Sequence, residues 1–134
     1  MRITTKGRYG LVIMLYLANH YKNDEYITLK EISESENISL KYLEKIMISL
    51  NKSDFLKSLR GSDGGYKLAY EPKNYTIKEI LNVSEGNLDI VTCLNSEHEC
   101  PKKDNCSSIK LWKGLNDVID DYLSNKTLAD FMEE

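Results

Sequence analysis

The sequence predicts a mostly α-helical fold that carries one small β-hairpin and ends in a long helix. Three observations predict it. Two helix-start signals, Thr28-Leu29-Lys30-Glu31 and Ser39-Leu40-Lys41-Tyr42, open a pair of short helices with a tight link between them. Directly after them, two alternating runs flank the turn cluster Gly61-Ser62-Asp63-Gly64-Gly65. From about Ser107 to Ser124, apolar residues recur at near-heptad spacing.

The elements follow in order. Residues 5–22 read as a first helix with Thr4 or Thr5 as its cap. Leu11, Leu15 and Ala18 share one face, and Ile13, Met14 and Leu17 widen it, so the helix is expected to be buried on several sides. Lys22-Asn23-Asp24-Glu25 ends it. Thr28 and Glu31 have the spacing of a capping box, in which hydroxyl and carboxylate satisfy free helix-end amides reciprocally, and a helix over about 28–35 follows. Ser39 starts the next. Its residues Leu40, Leu43, Met47 and Leu50 form one core-facing stripe. The opposite face presents Lys41, Tyr42, Lys45 and Asn51, with Ser39 at the exposed start.

A short capped helix, a tight link and a second capped helix make a helix-turn-helix arrangement, although an αα-hairpin in a small bundle would look similar. The next segment decides between them. Phe55–Arg60 and Tyr66–Tyr70 alternate as strands around the glycine cluster, which adds a hairpin wing. Arg60 stands on that wing, where an arginine can enter a narrow minor groove. Thr76 and Glu79 form another capping box, opening a helix to about Val83, and Glu85-Gly86-Asn87 reads as a turn. The long last helix carries Leu111/Trp112, Leu115, Val118/Ile119 and Tyr122/Leu123. Such a wide stripe suggests a dimer seam, with core packing as the competing use. Thr127 caps a last turn over Leu128–Phe131.

Composition bounds the function. The chain has 134 residues, 41% hydrophobic and 29% charged, which suits one domain. No apolar run approaches the ~18 residues that would span a membrane. The opening Met1-Arg2-Ile3-Thr4-Thr5-Lys6-Gly7-Arg8 lacks the cleavage site of a secretory leader, so a cytoplasmic protein is expected. Residues 1–75 carry 12 Lys and Arg against 9 Asp and Glu, whereas residues 76–134 carry 6 against 12. A basic front half suits an anionic partner such as nucleic acid. No nucleophile–base pair, phosphate loop or paired-carboxylate motif can be placed, so no enzyme is expected.

Three cysteines, Cys93, Cys100 and Cys106, fall within fourteen residues, among polar neighbours that suit no packing role. An odd number in a reducing compartment argues against a disulfide framework. Gaps of six and five residues do not make the tight knuckles of structural zinc sites. They can wrap a loop around an iron–sulfur cluster. Zinc bound by three Cys and one His stays open, with His98 or His20 to supply the His, as does a thiol switch in which Lys102 and Lys103 favour the thiolate.

With these residues in view, the chain resembles the IscR-type winged-helix transcriptional regulators, which have NsrR, RirA and CymR as relatives. The opening Met1–Gly10, the helix start Ile38–Glu44, the wing Ser58–Tyr66, the cysteine loop and Leu111-Trp112 at the start of the long helix carry the likeness over nearly the whole chain. The resemblance implies a homodimer, a repressor by preference, on a roughly palindromic double-stranded DNA operator. By position, Ser39, Lys41, Tyr42, Glu44 and Lys45 would face the major groove and Arg60 the minor groove. Arg2, Lys6, Arg8 and Tyr9 would lie near phosphates. Lys and Arg release phosphate counterions, Ser and Tyr donate to phosphate oxygens, and Glu can accept from a cytosine amino group. Cys93, Cys100 and Cys106 would hold an iron–sulfur cluster of the 2Fe-2S type, with the fourth ligand unassigned. The chain departs from the family pattern here. Six residues rather than five separate the first two cysteines, Ile109 stands where IscR has a ligating histidine, and Arg8 falls near an aspartate ligand of NsrR-like members. The implied layout is a DNA-binding region over 1–75, followed by the cysteine loop (93–106) and a dimerisation helix (about 107–124) within 76–134, all in one integrated domain. The alternatives are a cluster-free CymR-like regulator of cysteine metabolism, a zinc or redox sensor, and a metal-cluster carrier with no DNA role.

Overall fold

A computed structural model of the chain describes residues 3–86, 88–90 and 107–133. Within them are five α-helices and a two-stranded antiparallel hairpin: α1 (Thr5–Asn19), α2 (Leu29–Glu36), α3 (Leu40–Lys52), β1 (Leu56–Leu59), β2 (Gly65–Leu68), α4 (Ile77–Glu85) and α5 (Ile109–Ser124).

The core forms where the apolar faces of α1, α3 and α4 meet. Ile13, Met14, Leu17 and Ala18 of α1 meet Leu43, Ile46, Met47 and Leu50 of α3 and Ile77, Ile80 and Leu81 of α4, with Ile32, Leu68, Tyr75 and Leu128 closing the edges. Truncating one such residue, for example Leu43→Ala, costs about 2–5 kcal/mol. Leu40 departs from the expected core stripe. It sits in the first turn of α3 and is 38% exposed, while Ile46, 1% exposed, fills the core instead. Gly7 and Gly10 let α1 lie close to the end of α4. A Cβ at Gly7 would collide with the Glu85 side chain, and one at Gly10 with the Ser84 hydroxyl.

α1 stops at Asn19 rather than continuing to 22. The chain then tightens into a 3-10 turn, Tyr21–Asn23, and Asp24 closes it at φ 51°. Ser39 and Thr28 cap their helices as expected, accepting from the Tyr42 and Glu31 amides at 3.4 and 3.1 Å. The reciprocal arm at Thr28 is missing from the described bonds, because the Glu31 carboxylate accepts from the Tyr16 hydroxyl at 3.0 Å. The Thr76–Glu79 box is complete in both directions, and α4 runs on to Glu85. A second complete box joins Thr127 and Asp130.

The wing pairs Leu56 with Leu68 through Leu59 with Gly65. A third backbone segment joins it, as Ile27 exchanges both hydrogen bonds with Tyr66 at 2.9 and 2.8 Å. Gly65 makes this possible: its φ is 145°, and a Cβ there would run into the Ile27 backbone. The last segment folds back onto the body. Leu128 N donates to Tyr75 O, Ile77 N to Lys126 O, and Glu133 N to Asn19 Oδ1.

Candidate nucleic-acid interface

Helix α3 presents two faces, and helical spacing sorts them. Leu43, Ile46, Met47 and Leu50 point into the core. Lys41, Glu44, Lys45, Ile48, Asn51 and Lys52 are all exposed and recur at i, i+3, i+4, i+7, i+10 and i+11, on a single face. Ser39 stands exposed at its amino end. Tyr42 lies off this face. It is half-buried, with its ring edge-on to Tyr9 of α1 at 5.5 Å and 90°. The expected groove residue is thus also a packing residue, and the contact ties the start of α1 to the start of α3. A hollow between these ends is lined by Thr5, Tyr9, Asn37, Ile38, Ser39 and Tyr42. Lys6 and Arg8 are exposed on α1, and the Arg8 guanidinium donates to Thr5 Oγ1 at 3.1 Å.

The wing flanks the other end of the α3 face. Arg60 is exposed just beyond β1, and Gly64 N donates to Gly61 O at 3.1 Å to close the turn. Gly61 has φ 112°, a conformation that favours glycine. Arg60, Ser58 and Gly61 share a second hollow with Asn51 of α3 and Thr28 of α2. The structure therefore brings Ser39, Lys41, Glu44 and Lys45 onto one surface, with Tyr9 at one side and Arg60 at the other, while Lys6 and Arg8 are exposed on the same first turns of α1 as Tyr9. Ile48 shares this surface too, since it follows Lys41 by seven residues and Lys45 by three.

The wing is held at its root by Tyr75. Its hydroxyl donates to Phe55 O at 2.6 Å and accepts from Tyr70 N at 3.0 Å, spanning both ends of the hairpin. Burial pushes the Tyr75 phenol above its ordinary pKa.

Arg2, Cys93, Cys100, Cys106 and His98 lie outside the described residues. Among the described residues, no group of three or more His, Cys, Asp and Glu stands close enough to hold a metal ion. Ile109, the first residue of α5, has a hydrocarbon side chain with no donor atom, and Arg8 is a cation, so neither side chain can ligate iron. His20 stacks on Tyr16 at 4.4 Å, and its Nδ1 donates to the Tyr16 carbonyl at 2.8 Å, because a carbonyl can only accept.

Helix α5 divides its wide stripe between half-buried and exposed positions. Trp112, Ile119 and Leu123 are half-buried, and Leu123 packs against the core. Leu111, Leu115, Val118 and Tyr122 are 64, 43, 65 and 56% exposed. Their 4-3-4 spacing is that of a coiled-coil seam. No described helix is long and apolar enough to cross a membrane.

Comparison with known proteins agrees with this arrangement. The family model described as "Iron-dependent Transcriptional regulator", Rrf2, matches residues 3–134. A chain from Neisseria meningitidis named as an HTH-type transcriptional regulator is 39% identical over all of this chain and 89% of its own. The regulator IscR of Vibrio cholerae is 35% identical over 98% of this chain and 75% of its own. The solved structure of CymR, the global cysteine regulator of B. subtilis, superposes with a TM-score of 0.80 at 37% identity, covering 98% of this chain and 95% of that one. With the α2–α3 pair, the exposed α3 face and the wing already in place, the chain belongs to the Rrf2 family of winged-helix, DNA-binding transcriptional regulators, which are not enzymes.

Proposed function

We propose that this chain is a cytoplasmic homodimeric repressor whose operator affinity is set by an iron–sulfur cluster, of the 2Fe-2S type, on Cys93, Cys100 and Cys106. The observation that carries the DNA half is the single exposed face of α3, with Arg60 at one end and the α1 residues at the other. Ser39, Lys41, Glu44 and Lys45 meet the major groove, Arg60 reaches the minor groove, and Lys6, Arg8 and Tyr9 sit at phosphates, with Arg2 extending the same basic run. The seam residues Leu111, Leu115, Val118 and Tyr122 receive the same helix of a second copy, which sets the spacing between the two α3 helices. Residues 1–75 form the DNA-binding part and 76–134 the sensing and dimerisation part of one integrated domain.

The cluster half rests on donor chemistry. Three thiols within fourteen residues suit iron–sulfur ligation, and the cluster would supply an oxidation- and loss-sensitive link. In sequence, the cysteines fall between α4, which packs on the DNA-facing helix α1, and α5, which carries the seam. Operator and cluster then bias each other by the same factor. A second reading has its own support: the likeness to CymR, together with Ile109 in place of a ligand, favours a cluster-free regulator.

The test is iron and acid-labile sulfide per protomer on protein purified without oxygen, followed by operator binding of loaded and stripped forms at matched salt. Stoichiometric iron and sulfide, lost in Cys100→Ala, with different operator affinities for the two forms, supports cluster control. Equal affinities sink it. No iron or sulfide after reconstitution moves the CymR-like reading ahead.

A further inference from the structure

Ile48 sits at the centre of the exposed α3 face and is 59% exposed, although its neighbours Met47 and Leu50 are 3% and 0% exposed. A single exposed isoleucine is unremarkable on an arbitrary surface. This one is surrounded on its own face by Lys41, Lys45 and Lys52, and it lines the hollow between α3 and Tyr66 of the wing together with Glu44 and Asn51. The lysines suit a polyanion better than an apolar protein partner or a second copy of this cationic face.

We propose that Ile48 is a specificity-determining residue that covers the C5 methyl of a thymine in the operator. The inference rests on α3 being the helix that enters the major groove. There the thymine methyl is the one apolar group on a base edge, and apolar side chains recognise it by contact. The neighbours on the same column have matching chemistry. Glu44, one turn earlier, can accept from a cytosine amino group, and Asn51, just under one turn later, can pair with adenine N6 and N7. Along the helix, Glu44 to Asn51 spans about 10 Å at 1.5 Å per residue, roughly three base steps. Ile48 is β-branched and stiff at χ1 in a helix, so its methyl groups are held in place before binding.

The experiment starts by selecting duplexes from a random-sequence library with the full chain. Each thymine of the selected duplex is then replaced, one at a time, by uracil, which lacks only the methyl. One position per half-site is expected to lose about fourfold in affinity, the worth of one buried methyl. Ile48→Ala is expected to bind the thymine and uracil duplexes equally, whereas Lys45→Ala weakens both and keeps the preference for thymine. Uracil that is neutral at every position of a tightly bound duplex overturns the assignment and leaves the DNA reading standing. Ile48→Ala that still discriminates, or that changes the oligomeric state, also overturns it. A library from which nothing is enriched overturns the α3 reading itself.

Discussion

One carboxylate oxygen of Glu85 holds the amino end of α1: Thr4 donates to it from its amide at 2.5 Å and from its hydroxyl at 2.6 Å. The Gly7 amide adds a third bond at 3.0 Å. The residue that caps α1 thus comes from 81 positions away, at the end of α4. A negative charge at a helix amino end is favourable, because free amides and the helix dipole both point towards it. Thr4, expected as the cap, spends its hydroxyl on Glu85 instead of on its own helix.

Glu85→Ala leaves three donors without this acceptor. Thermal unfolding should show a loss of about 1–2 kcal/mol. Glu85→Gln keeps an oxygen acceptor and loses only the charge, so its loss should be about half as large. Gly7→Ala should match or exceed the alanine variant, since the added methyl occupies the carboxylate's place. Equal stability of all three with the parent would sink this account of the cap.

These contacts mark what the sequence could and could not disclose. Local signals were legible: the Ser39 cap, the Thr76–Glu79 box and the glycine turn of the wing all form as read, because each is decided within a few residues. Contacts between distant segments were not. Nothing around Glu85 names Thr4 as its partner, and nothing around Ile27 announces a bridge to Tyr66. Glu31 shows how one overrides the other, since Tyr16 takes the carboxylate that a local box would use. At the candidate interface, residue types and helical period gave Ser39, Lys41, Lys45 and Asn51, whereas Glu44 came only from the family resemblance. They placed Tyr42 with Lys41 and Lys45, and the ring of Tyr9 that packs edge-on against it from α1 was not legible in them.

Tyr75→Phe should loosen the wing at its root. The Tyr70 amide loses its acceptor, while Phe55 O keeps the Ala69 amide at 3.0 Å. The expected cost is about 1–3 kcal/mol, with greater amide exchange in β1 and β2 than in α1. The pH dependence has a definite sign. Burial raises the phenol's pKa above its ordinary 10.0, so the folded state favours the neutral form. That contribution is complete below the ordinary value and is lost as pH rises through the raised one. Above about pH 10, the parent should therefore lose stability faster than Tyr75→Phe. Parallel alkaline profiles would remove Tyr75 as the cause.

Leu115→Glu combined with Val118→Glu should separate the proposed dimer without disturbing the protomer. Both side chains are exposed on α5 and no residue of that helix is fully buried, so helix content should be unchanged by circular dichroism. Light scattering should report one protomer. Operator affinity should fall by about a hundredfold or more, because two half-sites no longer bind as a linked pair. Leu123→Glu offers the contrast: it packs against the core, so it should destabilise the fold. A variant at 115 and 118 that remains a dimer would place the seam elsewhere.

Glu44→Ala and Lys45→Ala should have opposite effects on binding to unrelated duplexes, although the residues are adjacent on one exposed face. Lys45 acts through phosphate charge. Removing it should weaken every duplex alike and reduce the slope of log affinity against log salt by about 0.9. Glu44 repels phosphate wherever it stands, so its presence on a DNA-facing surface is favourable only where a base donor meets it. Cytosine's amino group is such a donor. Glu44→Ala should therefore lose discrimination of about 1–3 kcal/mol at one base pair per half-site. It should also bind unrelated duplexes more tightly than the parent, because a like charge has been removed from the backbone's path. Competition with selected and scrambled duplexes, each across a salt series, separates the two effects. A Glu44→Ala variant that weakens on all duplexes equally would show that Glu44 orders α3 and reads no base.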